Sequence, residues 1–92
     1  MDIKGNDFIL TPINDSTPIY DLELLYEIRP KGKEPRLEFK TVAYGLSLEQ
    51  AIKKIAQYRI SRNHIDESLD IQQYFKEFKE ELDSLKPILN FT

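Results

Sequence analysis

The sequence predicts an α+β domain in which a three-stranded antiparallel sheet is followed by two helices packed on one of its faces. Two observations indicate the sheet: apolar and charged residues alternate over 19–29, and a second alternating run covers 36–44 after a charged hairpin loop. A third observation indicates the helices: the apolar residues change to helical spacing after residue 47. The 92 residues are therefore expected to form a single small domain, 1–92, with one modest core.

A short first strand is expected at about residues 6–11, centred on the apolar residues 8–10. The segment 12–18, which contains two prolines, an asparagine and an aspartate, has the composition of a turn and ends this strand. The sequence does not decide where the first strand lies in the sheet, so its position is left open.

The strands at 19–29 and 36–44 are expected to pair as an antiparallel hairpin. Two registers place acidic side chains opposite basic ones, and such pairs stabilise a sheet by about 0.2 to 1 kcal/mol each. Both registers keep the aromatic residues of the hairpin on one face. The first pairs Glu27 with Arg36 and Glu23 with Lys40, and the second pairs Glu27 with Lys40 and Arg29 with Glu38.

The first helix is expected to span about residues 48–62. Ser47 and Gln50 have the spacing of a capping box, in which each side chain accepts from the other residue's backbone N–H. Apolar residues then recur every three or four positions, which is typical of a helix with one buried face. These residues are Leu48, Ala51, Ile52 and Ile55.

The second helix is expected over about 67–86, with Asp66 or Ser68 as its N-cap and Pro87 ending it. Its apolar residues have the strongest helical periodicity in the chain, and they are interpreted as core. The same residues follow a heptad spacing for about two heptads, which leaves homodimerisation open. The stripe consists of Ile71, Tyr74, Phe75, Phe78, Leu82 and Leu85.

Composition argues against several classes of function. The chain has no cysteine, so it can form neither disulfides nor thiolate metal sites. Its net charge of −3 argues against a general attraction to nucleic acid or anionic lipid. Because there is no signal-peptide pattern and no apolar run of about 20 residues, the chain is expected in the cytoplasm and away from membranes.

The first helix carries the concentrated positive charge of the chain. Residues 47–64 have four basic side chains and one acidic one, whereas residues 65–92 have three basic and seven acidic. At about 100° per residue, the two lysines face solvent while the two arginines continue the apolar stripe. We therefore expect the arginines to pair with the acidic second helix rather than to join the lysines in binding phosphate. These residues are Lys53, Lys54, Arg59 and Arg62.

The remaining charged residues do not indicate catalysis. Asp21, Glu23 and Glu27 share a strand face, and they are interpreted as a solvated face with salt bridges to the neighbouring strand. His64 is the only histidine, and a loop or cap role is expected because a metal site or proton relay needs further ligands. The sequence therefore predicts no enzyme activity, no metal and no cofactor.

The C-terminal residues 88–92 are largely apolar although they end the chain. Such a segment either docks on its own domain or contacts a partner. Leu89 and Phe91 therefore join the basic residues of the first helix as candidate partner-binding residues.

The sequence begins with a predicted strand, which is followed by a charged, Lys-rich hairpin and a strand that ends at Tyr44. Two short motifs come next, Ser47–Ile52 and Tyr58–Ile60. This order resembles a group of small proteins carried by phages and prophages of Gram-positive bacteria, over roughly residues 6–80. The resemblance implies an accessory protein of a mobile element that acts on a host or defence protein. It assigns no functional residue.

Taken together, these features predict a non-enzymatic phage or prophage accessory protein that binds a host or defence protein, in the host cytosol. The acidic second helix, the apolar tail and the resemblance all favour a protein partner. The alternative is a nucleic-acid-binding module that uses the basic residues of the first helix, and its affinity would fall steeply with salt.

Overall fold

The computed structural model describes residues 2–65 and 67–87. In it, a four-stranded antiparallel sheet is followed by two helices, which confirms the α+β class. The chain divides into two compact units, a sheet unit that ends at Ser47 and a helical unit that begins at Leu48. The elements are β1 (Ile3–Lys4), β2 (Phe8–Pro12), β3 (Ile19–Ile28), β4 (Arg36–Ser47), α1 (Leu48–Asn63) and α2 (Ile71–Leu85).

The sheet has four strands, so the prediction of three was wrong. The additional strand, β1, has only two residues, which is too short for alternation to reveal. The chain reverses between β1 and β2, where the Gly5 N–H donates to the Phe8 carbonyl at 3.0 Å. Glycine suits this position because a Cβ there would meet the Phe8 ring. The strand order is β1-β2-β3-β4, which places β2 between β1 and β3.

Proline ends β2 without breaking the sheet. Pro12 lies opposite Tyr20 of β3 and has no N–H to donate to a neighbour on its other side. It is tolerated because, among the residues that the structure describes, β1 pairs only with Ile9 and Leu10, and Pro12 has no described partner on that side. The Asn14 side chain then organises the loop by accepting from the backbone N–H groups of residues 16 and 17, at 2.9 and 2.8 Å.

Both predicted registers of the β3–β4 hairpin were wrong. Leu24 lies opposite Lys40, and Glu27 lies opposite Leu37, a shift of one residue from the first predicted register. A shift of one residue turns every side chain of a strand to the other face of the sheet. Leu37 therefore shares a face with Glu27, and it is 68% exposed.

The charged residues of the hairpin pair along each strand rather than across it. Arg29 donates to Glu27 at 3.1 Å, and Arg36 donates to Glu38 at 3.3 Å. Glu23 lies opposite Thr41, so the expected cross-strand partner is absent there. The expectation of salt bridges between the two strands at these positions was wrong, since the backbone pairing brings no opposite charges face to face.

Two β-bulges in β4 explain why the alternation of its residues predicted the wrong register with β3. Relative to β3, β4 has one extra residue between the positions that face Tyr20 and Leu22, and another between those that face Leu22 and Glu23. Gly45 at the first bulge has φ +66°, a conformation that favours glycine, and its N–H donates to Asp21 Oδ1 at 3.1 Å. Asp21 thus bonds a bulge N–H instead of the cation expected for it.

The buried apolar residues of the sheet unit come from the first three strands. Leu10 and Leu22 are fully buried and lie opposite each other on neighbouring strands. The paired residues of a β-sheet point to the same face, so one face carries this core. The set is Ile3, Phe8, Leu10, Leu22 and Leu24.

The helices lie close to their predicted bounds. α1 begins at Leu48 as expected, while the Ser47–Gln50 capping box stays a prediction. α2 begins later than expected: its N-cap is Asp70, whose side chain accepts from the Gln73 N–H at 2.8 Å, and not Ser68. Asp66, the other predicted cap, lies outside the described residues. The buried residues of α1 are Leu48, Ala51, Ile52, Ile55, Ala56 and Ile60.

Candidate functional site: an apolar surface of the helical unit

The apolar stripe of α2 is only partly covered. Leu85 is buried at the C-terminal end, and Tyr74, Phe78 and Leu82 are half-buried. At the N-terminal end, Ile71 is 67% exposed and Phe75 is 60% exposed. The interpretation of the whole stripe as core was therefore wrong for Ile71 and Phe75, which form what we call the α2 surface.

Helical geometry explains which side of the stripe is left uncovered. At 100° per residue, Tyr74 and Leu85 lie on one side of the stripe, and Phe75 lies about 80 to 100° away on the other. Glu81, which contacts α1, lies on the same side as Tyr74. The side of α2 turned to α1 is thus covered, and Phe75 faces away from it.

Aromatic contacts hold the α2 surface in shape. The Tyr74 and Phe78 rings stack at 6.0 Å with an interplanar angle of 15°. Phe75 meets Tyr74 edge to face, with ring centroids 6.1 Å apart and an angle of 70°. These are favourable geometries for aromatic pairs, so Phe75 is exposed but placed against a packed neighbour.

One predicted candidate, Arg59, fastens the two helices together. Its Nη1 donates to Glu81 Oε2 of α2 at 3.4 Å, and both side chains are largely covered. This confirms the expected pairing of Arg59 with the acidic second helix. A covered cation already bonded to a carboxylate is poorly placed to contact a phosphate.

Arg62 follows Arg59 by one turn and contacts its own helix. Its guanidinium lies over the Tyr58 ring, 5.1 Å from the centroid, which is a cation–π geometry. Its Nη1 also lies 3.5 Å from the Tyr58 hydroxyl. A contact of Arg62 with α2 stays a prediction.

The two predicted lysines lie on the solvent side of α1. Lys53 is exposed and lies 3.6 Å from Glu49, one turn earlier, which is a surface pair of small energetic value. Lys54 is exposed as well. The structure therefore separates the lysines from Arg59, as the helical geometry indicated. Leu89 and Phe91, the two candidates in the tail, lie outside the described residues.

His64 connects the two helices in a way that the sequence did not reveal. Its Nδ1 lies 2.8 Å from Glu67 Oε2, and its Nε2 lies 2.6 Å from Glu77 Oε1 of α2. Since a neutral imidazole has one N–H, only the protonated ring donates to both carboxylates. The spacing of His64 and Glu67 offered a weak signal, whereas Glu77 is thirteen residues away and offered none.

We call the contacts of His64 with Glu67 and Glu77 the His64 clasp. Its hydrogen bonds shift the pKa values of His64 and Glu77 in opposite directions. The hydrogen bond to Glu67, followed by that to Glu77, raises the pKa of His64 above its ordinary value. The hydrogen bond from His64, followed by one from Gln73, lowers the pKa of Glu77. Both shifts favour the charged pair, so the clasp is an electrostatic link between the start of the connector and α2.

The described residues include no cluster of three or more histidine or acidic side chains arranged to hold a metal ion. Within the same part of the chain, no helix is both long enough and apolar enough to cross a membrane.

No family model, curated protein or solved structure matches the sequence. The α2 surface is thus the feature of the helical unit that points most directly to a function.

Proposed function

We propose that this chain is a non-enzymatic protein-binding module that receives its partner on the α2 surface. The observation that supports this proposal is the exposure of Ile71 and Phe75 on a helix whose remaining apolar residues are buried or half-buried. Single exposed apolar residues are common and need no explanation. Two large ones a single turn apart on the same helix face form a patch of the kind that marks interaction sites.

The mode of binding that suits this surface is a helix placed in a groove. In that mode, an amphipathic helix lays its apolar residues, spaced by three and four positions, into an apolar groove of the partner. Phe75 would be the principal anchor, because large aromatic side chains bury the most apolar area on binding. Its edge contact with Tyr74 limits the conformational entropy that binding would remove.

The charges around the α2 surface indicate the chemistry of the partner. Lys79 follows Phe75 by one turn and is exposed beside it. An acidic side chain at the rim of the partner's apolar groove would pair with Lys79, whereas a basic side chain there would be repelled by it.

The proposed biological setting rests on the resemblance to phage and prophage proteins. It supports an accessory protein of a mobile element, acting in the host cytosol on a host or defence protein.

The test is a comparison of captured proteins. The tagged wild-type chain, an Ile71→Ser/Phe75→Ser variant and an Ile13→Ser control are each used to capture proteins from a lysate of a Gram-positive host, followed by mass spectrometry. Ile13 is also an exposed apolar residue, but it lies in the sheet unit. We expect one protein to be retained by the wild type and the control and lost with the double variant. Equal capture by all three chains would contradict the proposal.

Nucleic-acid binding remains the second candidate, because Lys53 and Lys54 are both exposed on α1. It predicts binding to a nucleic acid that weakens steeply as salt increases and on Lys53→Ala/Lys54→Ala substitution. A filter-binding titration at two salt concentrations measures both effects. No binding at low salt would eliminate this candidate.

A further inference from the structure

The outer edge of β4 is a second candidate for an interaction surface. β4 has twelve residues and is the last strand in the order of the sheet. Its hairpin half, residues 36–41, pairs regularly with β3 and lies before the two bulges. Leu37 on this half is 68% exposed. A long, regular edge strand is a template for pairing with another strand.

The hydrogen bonds of β3 show which backbone groups of β4 point outward. The Leu25 N–H donates to the Asp7 carbonyl, on the β2 side, at 3.0 Å. Leu25 lies opposite Phe39, so these two residues form a non-hydrogen-bonded pair. The N–H and C=O of Phe39 therefore point to the outer edge, and those of Leu37 and Thr41 do so by alternation.

The charges on this half of β4 select one way of pairing it with itself. A two-fold axis perpendicular to the sheet pairs two copies antiparallel and keeps the faces of both strands aligned. With the axis at Phe39, Glu38 of each copy lies opposite Lys40 of the other. An axis at Glu38 or at Lys40 would place like charges directly opposite each other, which is unfavourable.

We propose that the hairpin half of β4 pairs antiparallel with the same segment of a second copy, with the two-fold axis at Phe39. The pairing joins the outward backbone groups of Leu37, Phe39 and Thr41 in about six hydrogen bonds, two for each hydrogen-bonded pair. It forms two Glu38–Lys40 ion pairs on one face. On the other face it places the two Phe39 rings side by side and covers Leu37.

The test is the mass of the full chain in solution, measured by sedimentation over a range of concentrations. We expect a reversible dimer of about twice 10.9 kDa. Glu38→Lys or Lys40→Glu alone should raise the dimer dissociation constant about ten-fold or more, because each turns two attractive pairs into repulsive ones. The double variant, which exchanges the two charges, should restore dimerisation.

Two further variants separate the edge from general effects of charge or folding. Glu27→Lys changes an acidic residue that also pairs with an arginine two positions away, but on the inner strand β3, and should leave the dimer unchanged. Leu37→Pro removes an outward N–H near the start of the edge strand, where proline is tolerated, and should abolish the dimer while circular dichroism stays unchanged. A wild type that is monomeric at every concentration would overturn the proposal, as would a dimer unaffected by the charge variants. In the first case the charges on β4 would serve to keep its edge unpaired.

Discussion

The sheet unit and the helical unit are organised by different kinds of interaction. In the sheet unit, backbone pairing sets the face on which each side chain lies, and each of the two bulges in β4 changes that face along the strand. In the helical unit, side chains fasten one helix to the other, through the Arg59–Glu81 pair and the His64 clasp. The comparison teaches that apolar residues become exposed for different reasons. Leu37 is exposed because its pairing with β3 places it on the same face as Glu27, and Phe75 is exposed because α1 covers only part of the apolar stripe of α2.

The largest expected effect separates covered from exposed leucines in the sheet unit. Leu22→Ala should lower the free energy of unfolding by about 2 to 5 kcal/mol, because it opens a cavity in a fully buried position. Leu37→Ala should change it by no more than about 0.5 kcal/mol. Urea denaturation of both variants, at a protein concentration too low for dimer formation, measures the difference. Similar losses would show that Leu37 is core and that the observed register is wrong.

The same comparison applies to the helical unit. Leu85→Ala should cost about 2 to 5 kcal/mol, because Leu85 is the buried end of the α2 stripe. Phe75→Ser should cost much less, at about 1 kcal/mol, since the ring is mostly exposed and only its edge contact with Tyr74 is lost. Thermal unfolding of the two variants checks this order. A loss for Phe75→Ser as large as that for Leu85→Ala would make Phe75 a core residue and remove the basis of the α2 surface.

A smaller effect tests the β-bulge at Gly45 in β4. Gly45→Ala should destabilise the chain by about 1 to 2 kcal/mol, because residue 45 has φ +66° and a Cβ there has space but not the preferred backbone conformation. Asp21→Asn is the matched control, since its side-chain oxygen still accepts the Gly45 N–H. Chemical denaturation should give a smaller loss for the control. No loss for Gly45→Ala would contradict the bulge.

The smallest effect is the pH dependence of the His64 clasp. The folded pKa of His64 is raised, so its contribution to stability is complete below about pH 6.5 and is lost as pH rises through the raised pKa. The folded pKa of Glu77 is lowered, so its contribution is present above about pH 4.5 and is lost as pH falls through the lowered pKa. The clasp is therefore strongest between these two values.

The measurement compares wild type with His64→Gln at pH 5.5 and pH 8.5. We expect the wild type to be the more stable at pH 5.5 and this advantage to shrink at pH 8.5. Since the chain has one histidine, its ring proton resonances report the titration of His64 without further assignment. A titration at the ordinary value of 6.5 would contradict the clasp.

Helical periodicity predicted more of this molecule than strand alternation did. Both helices and the Arg59 pairing followed from residue spacing, but the sequence left the N-cap of α2 undecided between Asp66 and Ser68, and the cap is Asp70. In the sheet, each cross-strand charge pair contributes no more than about 1 kcal/mol to stability. That is too little to determine the register of two strands when one of them contains two bulges. The two-residue strand β1 lies below the length at which alternation can be recognised.

The candidate site could be predicted only in part for a related reason. Spacing shows which residues of α2 share a stripe, but it does not show how far α1 covers that stripe. Ile71 and Phe75 were therefore indistinguishable from Leu85 in the sequence. The contact of His64 with Glu77 joins residues thirteen positions apart across a connector, and no local pattern encodes it.

The most direct test of the central claim is site-specific photo-crosslinking inside a Gram-positive host. A photoreactive phenylalanine analogue replaces Phe75 of the α2 surface in one variant and Ile13 of the sheet unit in another. We predict one covalent adduct with a host protein from position 75 and none from position 13. Adducts from neither position, or the same adduct from both, would contradict the claim that the α2 surface binds the partner.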